Sequence, residues 1–234
     1  MDKAYRNVSI FVVLILIGVQ WGFYKNYTSQ FPEFKGNTTI HHIHGALMMI
    51  WLALLFVQPL LIMTGRNQLH RTIGKSSYVI GPLIIISLFL VGRAAYFNDI
   101  QSSAPMNINL AIRALDIRGF FSFALFWALA MINRKNSSAH MRYMIGTAML
   151  AIGPGVGRGL MNSFGLSLWD ALAITDVIDI VMVSVLLGYD VYKRKNPAPY
   201  LVILAVLIVG AIMWQLRLST AWQAFAGKWA ALFY

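Results

Sequence analysis

The residues best suited to chemistry are two histidines in look-alike segments. One segment reads His70-Arg71-Thr72-Ile73-Gly74 and continues through Tyr78-Val79-Ile80-Gly81-Pro82. The other reads His140-Met141-Arg142-Tyr143-Met144-Ile145-Gly146 and continues through Leu150-Ala151-Ile152-Gly153-Pro154. Each opens an apolar run after a short basic turn. Two neutral imidazoles on opposite sides of a flat macrocycle are good axial ligands for haem iron. His70 and His140 are therefore candidate ligands of a haem b, with Arg71 and Arg142 near enough to pair with its propionates. The plainer alternative is that both histidines sit among lipid headgroups and the arginines only set topology.

A second group of ionisable residues lies in the other half of the apolar runs. His41 and His44 share a helical face at i and i+3, the spacing of a small copper or zinc site, or of two hydrogen-bonded interfacial histidines. At about 1.5 Å per residue, the stretch from His44 to His70 approximates a full membrane crossing, so these histidines cannot share one metal. Arg93, Arg113, Asp116, Arg118, Arg158, Asp170, Asp176 and Asp179 complete the group. Intramembrane charges either hold helices together as ion pairs or line a polar cavity on a substrate, ion or proton route. Asp176 and Asp179 are the proton-relay candidates, and arginines from several helices could hold a carboxylate or phosphate.

The run Gly153-Pro154-Gly155-Val156-Gly157-Arg158-Gly159 has no Gly-Lys-Ser/Thr ending and no preceding strand, so it is not a phosphate loop. Inside an apolar run, its proline removes a helix hydrogen bond and its glycines permit close helix contact, which predicts a kink or tight packing, or else a broken helix at a ligand site.

The elements that must position these residues follow from composition. Of 234 residues 59% are hydrophobic and 12% charged, against roughly 25% charged in a soluble domain. The apolar residues come in runs of the length that crosses a bilayer. The chain thus reads as all-α, one polytopic membrane bundle over 1–234, with about seven transmembrane helices. The predicted spans are 8–24, 40–63, 71–97, 107–132, 140–162, 166–191 and 200–218. The two look-alike hairpins predict a pseudo-twofold four-helix core over 40–163. The segment 219–234 carries Trp222, Phe225, Trp229 and Phe233 at steps of three and four, which suits an amphipathic tail at the lipid–water interface or against a neighbouring subunit.

Net charge is +11. Its cations cluster in short turns: Lys3 and Arg6, then Arg66, Arg71 and Lys75, then Arg134, Lys135 and Arg142, then Lys193, Arg194 and Lys195. All fall on one side if the N-terminus is cytoplasmic, the ordinary positive-inside pattern. The charge therefore does not point to nucleic acid. The absence of cysteine excludes disulfides, thiol catalysis and cysteine-ligated clusters. No hydrolase or nucleotide motif is present.

Gln58-Pro59, Gly65-Arg66 and Leu69-His70-Arg71 with Gly74, extended by His140, Arg142-Tyr143-Met144 and Arg158, resemble an uncharacterised family of predicted bacterial multi-pass membrane proteins. The match covers roughly spans two to five, and it implies a fold and a bacterial inner (cytoplasmic) membrane location, not a reaction. A looser architectural likeness is to haem A synthase and bis-histidine membrane cytochromes, although two-haem cytochromes need four ligands. Three expectations follow: a haem or redox protein exchanging electrons with quinone in the lipid bilayer, a transporter or receptor for a small anion using the outer arginines, or a non-catalytic accessory subunit partnered by another membrane protein subunit.

Overall fold

The computed structural model describes residues 2–234, with side chains from Tyr5 onward. Lys3, counted above among the cations ahead of the first span, lies outside the described side chains. Among the described residues all regular structure is helical. The helices are α1 (Asp2–Tyr24), α2 (Thr39–Met63), α3 (Asn67–Gly74), α4 (Ser77–Gln101), α5 (Met106–Ile132), α6 (Ser137–Met149), α7 (Arg158–Phe164), α8 (Leu168–Tyr192), α9 (Ala198–Gln215) and α10 (Thr220–Phe233). Six helical runs are long and apolar enough to cross a membrane: α1, α2, α3 with α4, α5, α8 and α9. Their lipid-facing surfaces are legible as exposed apolar stripes, such as Val177, Val181 and Val185 at four-residue spacing on α8.

The predicted fifth span, 140–162, is not one straight helix. α6 stops at Met149, Gly153–Gly157 forms a π-helical turn, and α7 resumes at Arg158. Pro154 has no N–H for the i−4 carbonyl, and its ring crowds that turn, so the chain widens there. Gly81-Pro82 holds the matching place in α4, yet that helix runs unbroken. The two places also differ in what their glycines meet: Gly81 faces the Trp127 side chain, whereas Gly155 in the broken segment faces backbone. A Cβ on Gly155 would meet the backbone of Val19 and Gly18 on α1, a Cβ on Gly22 would meet the backbone of Gly155, and Gly157 faces Thr175 of α8. The widened turn is thus wedged between two helices that approach it closely on either side.

α2, α4, α5 and α6 pack as a closed ring, each against its neighbours, with α6 returning to α2. α1 lies across α2 and the broken segment, α8 packs on that segment and on α9, and α9 touches α5 and α6. The ring is filled by Trp51, Phe123, Phe126 and Met149. Trp51 Nε1 donates to Thr147 Oγ1 at 3.0 Å and its ring meets Phe123 edge-on at 5.5 Å, so the indole buries its area with its one donor satisfied.

The tail does not stand apart from the bundle. Ser219 caps α10, which packs along the first half of α5. Trp222 Nε1 donates to the Leu110 carbonyl at 2.9 Å and the Tyr234 ring lies 5.7 Å from Phe89. The aromatic stripe is split: Trp222 is buried while Phe225 and Phe233 are exposed.

Candidate functional site

At the basic end of the bundle, His70 stands on the short amphipathic α3 and His140 on the first turn of α6, and the two rings are close enough to interact electrostatically. Their hydrogen bonds fix their tautomers. His140 Nδ1 lies 2.8 Å from the Ala130 carbonyl on α5. A carbonyl only accepts, so Nδ1 carries the proton and Nε2 keeps its lone pair. His70 differs. Gln58 satisfies its surroundings when its amide oxygen accepts from Gly74 N–H (3.2 Å) and its nitrogen donates to the His70 carbonyl (3.1 Å) and to His70 Nδ1. His70 Nδ1 is then an acceptor, and its Nε2 carries a hydrogen rather than an iron-binding lone pair.

Arg142 is not available to a propionate. It is buried, with Nε 2.6 Å from one oxygen of Asp190 and Nη2 2.8 Å from the other. Nη1 donates to the Ser138 carbonyl and hydroxyl, and Tyr200 lies under the guanidinium at 5.4 Å. Arg71 is exposed. One histidine of the wrong tautomer and one committed arginine do not fit a bis-histidine haem.

In the opposite half, the predicted charge cluster separates into distinct groups. Arg113 is fully enclosed and pairs with Asp99 at 2.7 Å and Asp116 at 2.8 Å, tying α4 to α5. Arg118 pairs with Asp176 at 3.0 Å, tying α5 to α8, and also donates to the Gly210 carbonyl of α9. Two residues fall outside any cavity. Arg93 is exposed and stacks over Phe97 of its own helix. Asp170 is exposed in the first turn of α8, accepting from the capping Ser167 hydroxyl at 2.7 Å, where an acid suits the helix dipole. Asp179 is buried midway along α8, and its Oδ1 has no hydrogen-bond partner.

Arg158 is different from these. It starts α7 directly after the π turn, so the wider turn sets its direction. Its guanidinium donates to the Pro154 carbonyl at 3.2 Å, and Phe23 of α1 covers one face at 4.7 Å. No carboxylate lies within ion-pair distance of it among the described residues. It is nevertheless within electrostatic reach of His41 and His44 on α2 and of Asp116 on α5, and it is exposed.

The α2 histidines are also fixed as tautomers. The Thr38 backbone N–H donates to His41 Nδ1 at 3.0 Å, so His41 presents Nε2–H. His44 Nδ1 lies 2.9 Å from Ser87 Oγ, whose own hydrogen goes to the Ile84 carbonyl, so His44 presents an Nε2 lone pair. His41 and His44 are therefore one donor and one acceptor, not two metal ligands. Among the described residues no cluster of three or more histidines and acids is placed to hold a metal ion.

Asp190, Asp99 and Ser87 are partners that the sequence reading missed. Asp190 has one sequence signal: an acid inside the sixth apolar run, just ahead of Lys193-Arg194-Lys195. No family model, curated protein or solved structure matches the chain.

Proposed function

We propose that this chain crosses a bacterial inner membrane seven times, with its N-terminus cytoplasmic, and binds a small anion at Arg158. The seventh crossing is the broken segment α6–α7, which packs between α1 and α8 as a spanning helix would. The observation that carries the binding reading is the contrast among the arginines inside the bundle. Arg113, Arg118 and Arg142 are each neutralised by aspartate, whereas among the described residues Arg158 has only a carbonyl and an aromatic face. A carboxylate or phosphate there would take the free guanidinium N–H groups and the His41 Nε2–H, both charge-assisted or directed donors. Helix breaks that line a cavity are common places for such sites in membrane proteins, and π turns concentrate at functional positions.

The test is binding of inorganic phosphate and of acetate to the detergent-purified protein, followed by titration calorimetry. Binding weakens with added chloride. Arg158→Ala abolishes it, His41→Ala weakens it, and Arg93→Ala leaves it unchanged. Unaltered binding in Arg158→Ala would refute the reading.

A further inference from the structure

Asp179 takes no part in the site at Arg158, and it is a buried acid with an oxygen left without a partner. It is 7% exposed, and no side-chain or backbone donor meets its Oδ1 among the described residues. It stands at the midpoint of α8, a helix of spanning length. The charged groups facing it are Asp176, one turn earlier on α8, and Arg118 on α5. α9 packs on α8 nearby, its Gly210 carbonyl accepting from Arg118, and in the broken segment Gly157 faces Thr175, one turn from Asp179 on α8.

The charges in this group do not balance. Arg118 supplies one positive charge and is in contact with Asp176 at 3.0 Å. That pair is neutral. A second ionised carboxylate beside it, with an oxygen that no donor meets and almost no exposure to water, would bear a large desolvation cost. The carboxylate can lose that charge only by taking up a proton.

We propose that Asp179 is a proton-binding site at the middle of the membrane, holding one proton that the Arg118–Asp176–Asp179 group shares out according to its charge. The pair next to it makes the proton exchangeable. Loss of the Asp176 charge frees Arg118 to attract an ionised Asp179, and loss of the Arg118 charge forces a second proton onto the group. This site stands apart from the anion reading and survives its failure.

The experiment is infrared difference spectroscopy of the purified full-length protein at neutral pH, in light and heavy water. It separates the carbonyl stretch of a carboxylic acid from the stretch of a carboxylate. The wild-type minus Asp179→Asn spectrum is expected to show loss of one acid carbonyl, shifted by deuterium, and no loss of carboxylate. Asp176→Asn is expected to lose the same acid band, because Asp179 ionises to replace the missing partner. Arg118→Gln is expected to gain a second acid band. Loss of carboxylate instead of acid in the Asp179→Asn spectrum overturns the proposal, as does an acid band unchanged by Arg118→Gln and Asp176→Asn alike.

Discussion

Arg142 and Arg158 belong to the same broken helical segment, one ahead of the break and one just after it, and their surroundings are opposite. Arg142 is sealed: both oxygens of Asp190, the Ser138 carbonyl and the Tyr200 ring take up its donors and its face. Arg158 has the Pro154 carbonyl and the Phe23 ring, lies within electrostatic reach of His44, and has no carboxylate at contact distance among the described residues. A buried arginine whose every donor is met by protein is a structural strut. One without a carboxylate partner has a charge left for a ligand to meet, as proposed for Arg158. The break between them is what allows the difference, because it turns α7 away from the register that α6 follows.

Substitutions can break this comparison or sharpen it. The largest effect is expected at the strut. Arg142→Ala leaves Asp190 as an uncompensated buried charge and should destabilise the protein by about 3–5 kcal/mol, seen as a fall in thermal stability in detergent. Arg142→Leu combined with Asp190→Leu should recover most of that loss, since an apolar pair of similar volume removes both charges.

The next effect is at the break itself. Gly22→Ala drives a methyl into the Gly155 backbone and should cost about 1–3 kcal/mol through overpacking. Because the contact sets the direction of α7, it should also weaken phosphate binding at Arg158, which calorimetry on the same sample measures. A comparable loss without any change in binding would mean that α1 does not position Arg158.

Thr147→Val tests the ring without touching either arginine. It strands the Trp51 N–H in a dry site, and a buried donor without a partner costs about 1–3 kcal/mol. Phosphate binding should be retained. The smallest effect on stability is expected from Arg158→Ala, within about 0.5 kcal/mol of wild type, although it removes anion binding. A destabilisation as large as that of Arg142→Ala would make the two arginines alike and dissolve the comparison.

Much of the fold is legible in the chain. The apolar runs place α2, α5, α8 and α9 within a few residues of their observed ends, and α1 at its C-terminal end, because a spanning helix needs a long run without charge and the ends are marked by Lys, Arg, Pro and Gly. The Gly-Pro run announces a disturbance near Pro154, although not that Pro82 in the same motif would leave its helix straight. The site is far less legible. Arg113, Arg118, Asp116 and Asp176 are visible as charges in apolar runs, but which of them pair is not. His41 with His44 looks like a metal pair and His70 with His140 like a ligand pair, until the hydrogen bonds to Thr38, Ser87, Gln58 and Ala130 assign their protons.

What the sequence alone determined is the set of helices, the basic end, and the positions of the charges along each helix. These depend on local composition, which acts through the hydrophobic length of single segments. The tertiary structure set the pairings: Asp190 seals Arg142, and among the described residues Arg158 has no carboxylate at contact distance and no donor meets Asp179 Oδ1. Those outcomes depend on the rotation and depth of one helix against another. Such relations are fixed by the glycine contacts at Gly22, Gly155 and Gly157 and by the filling of the ring around Trp51, and no single segment carries them.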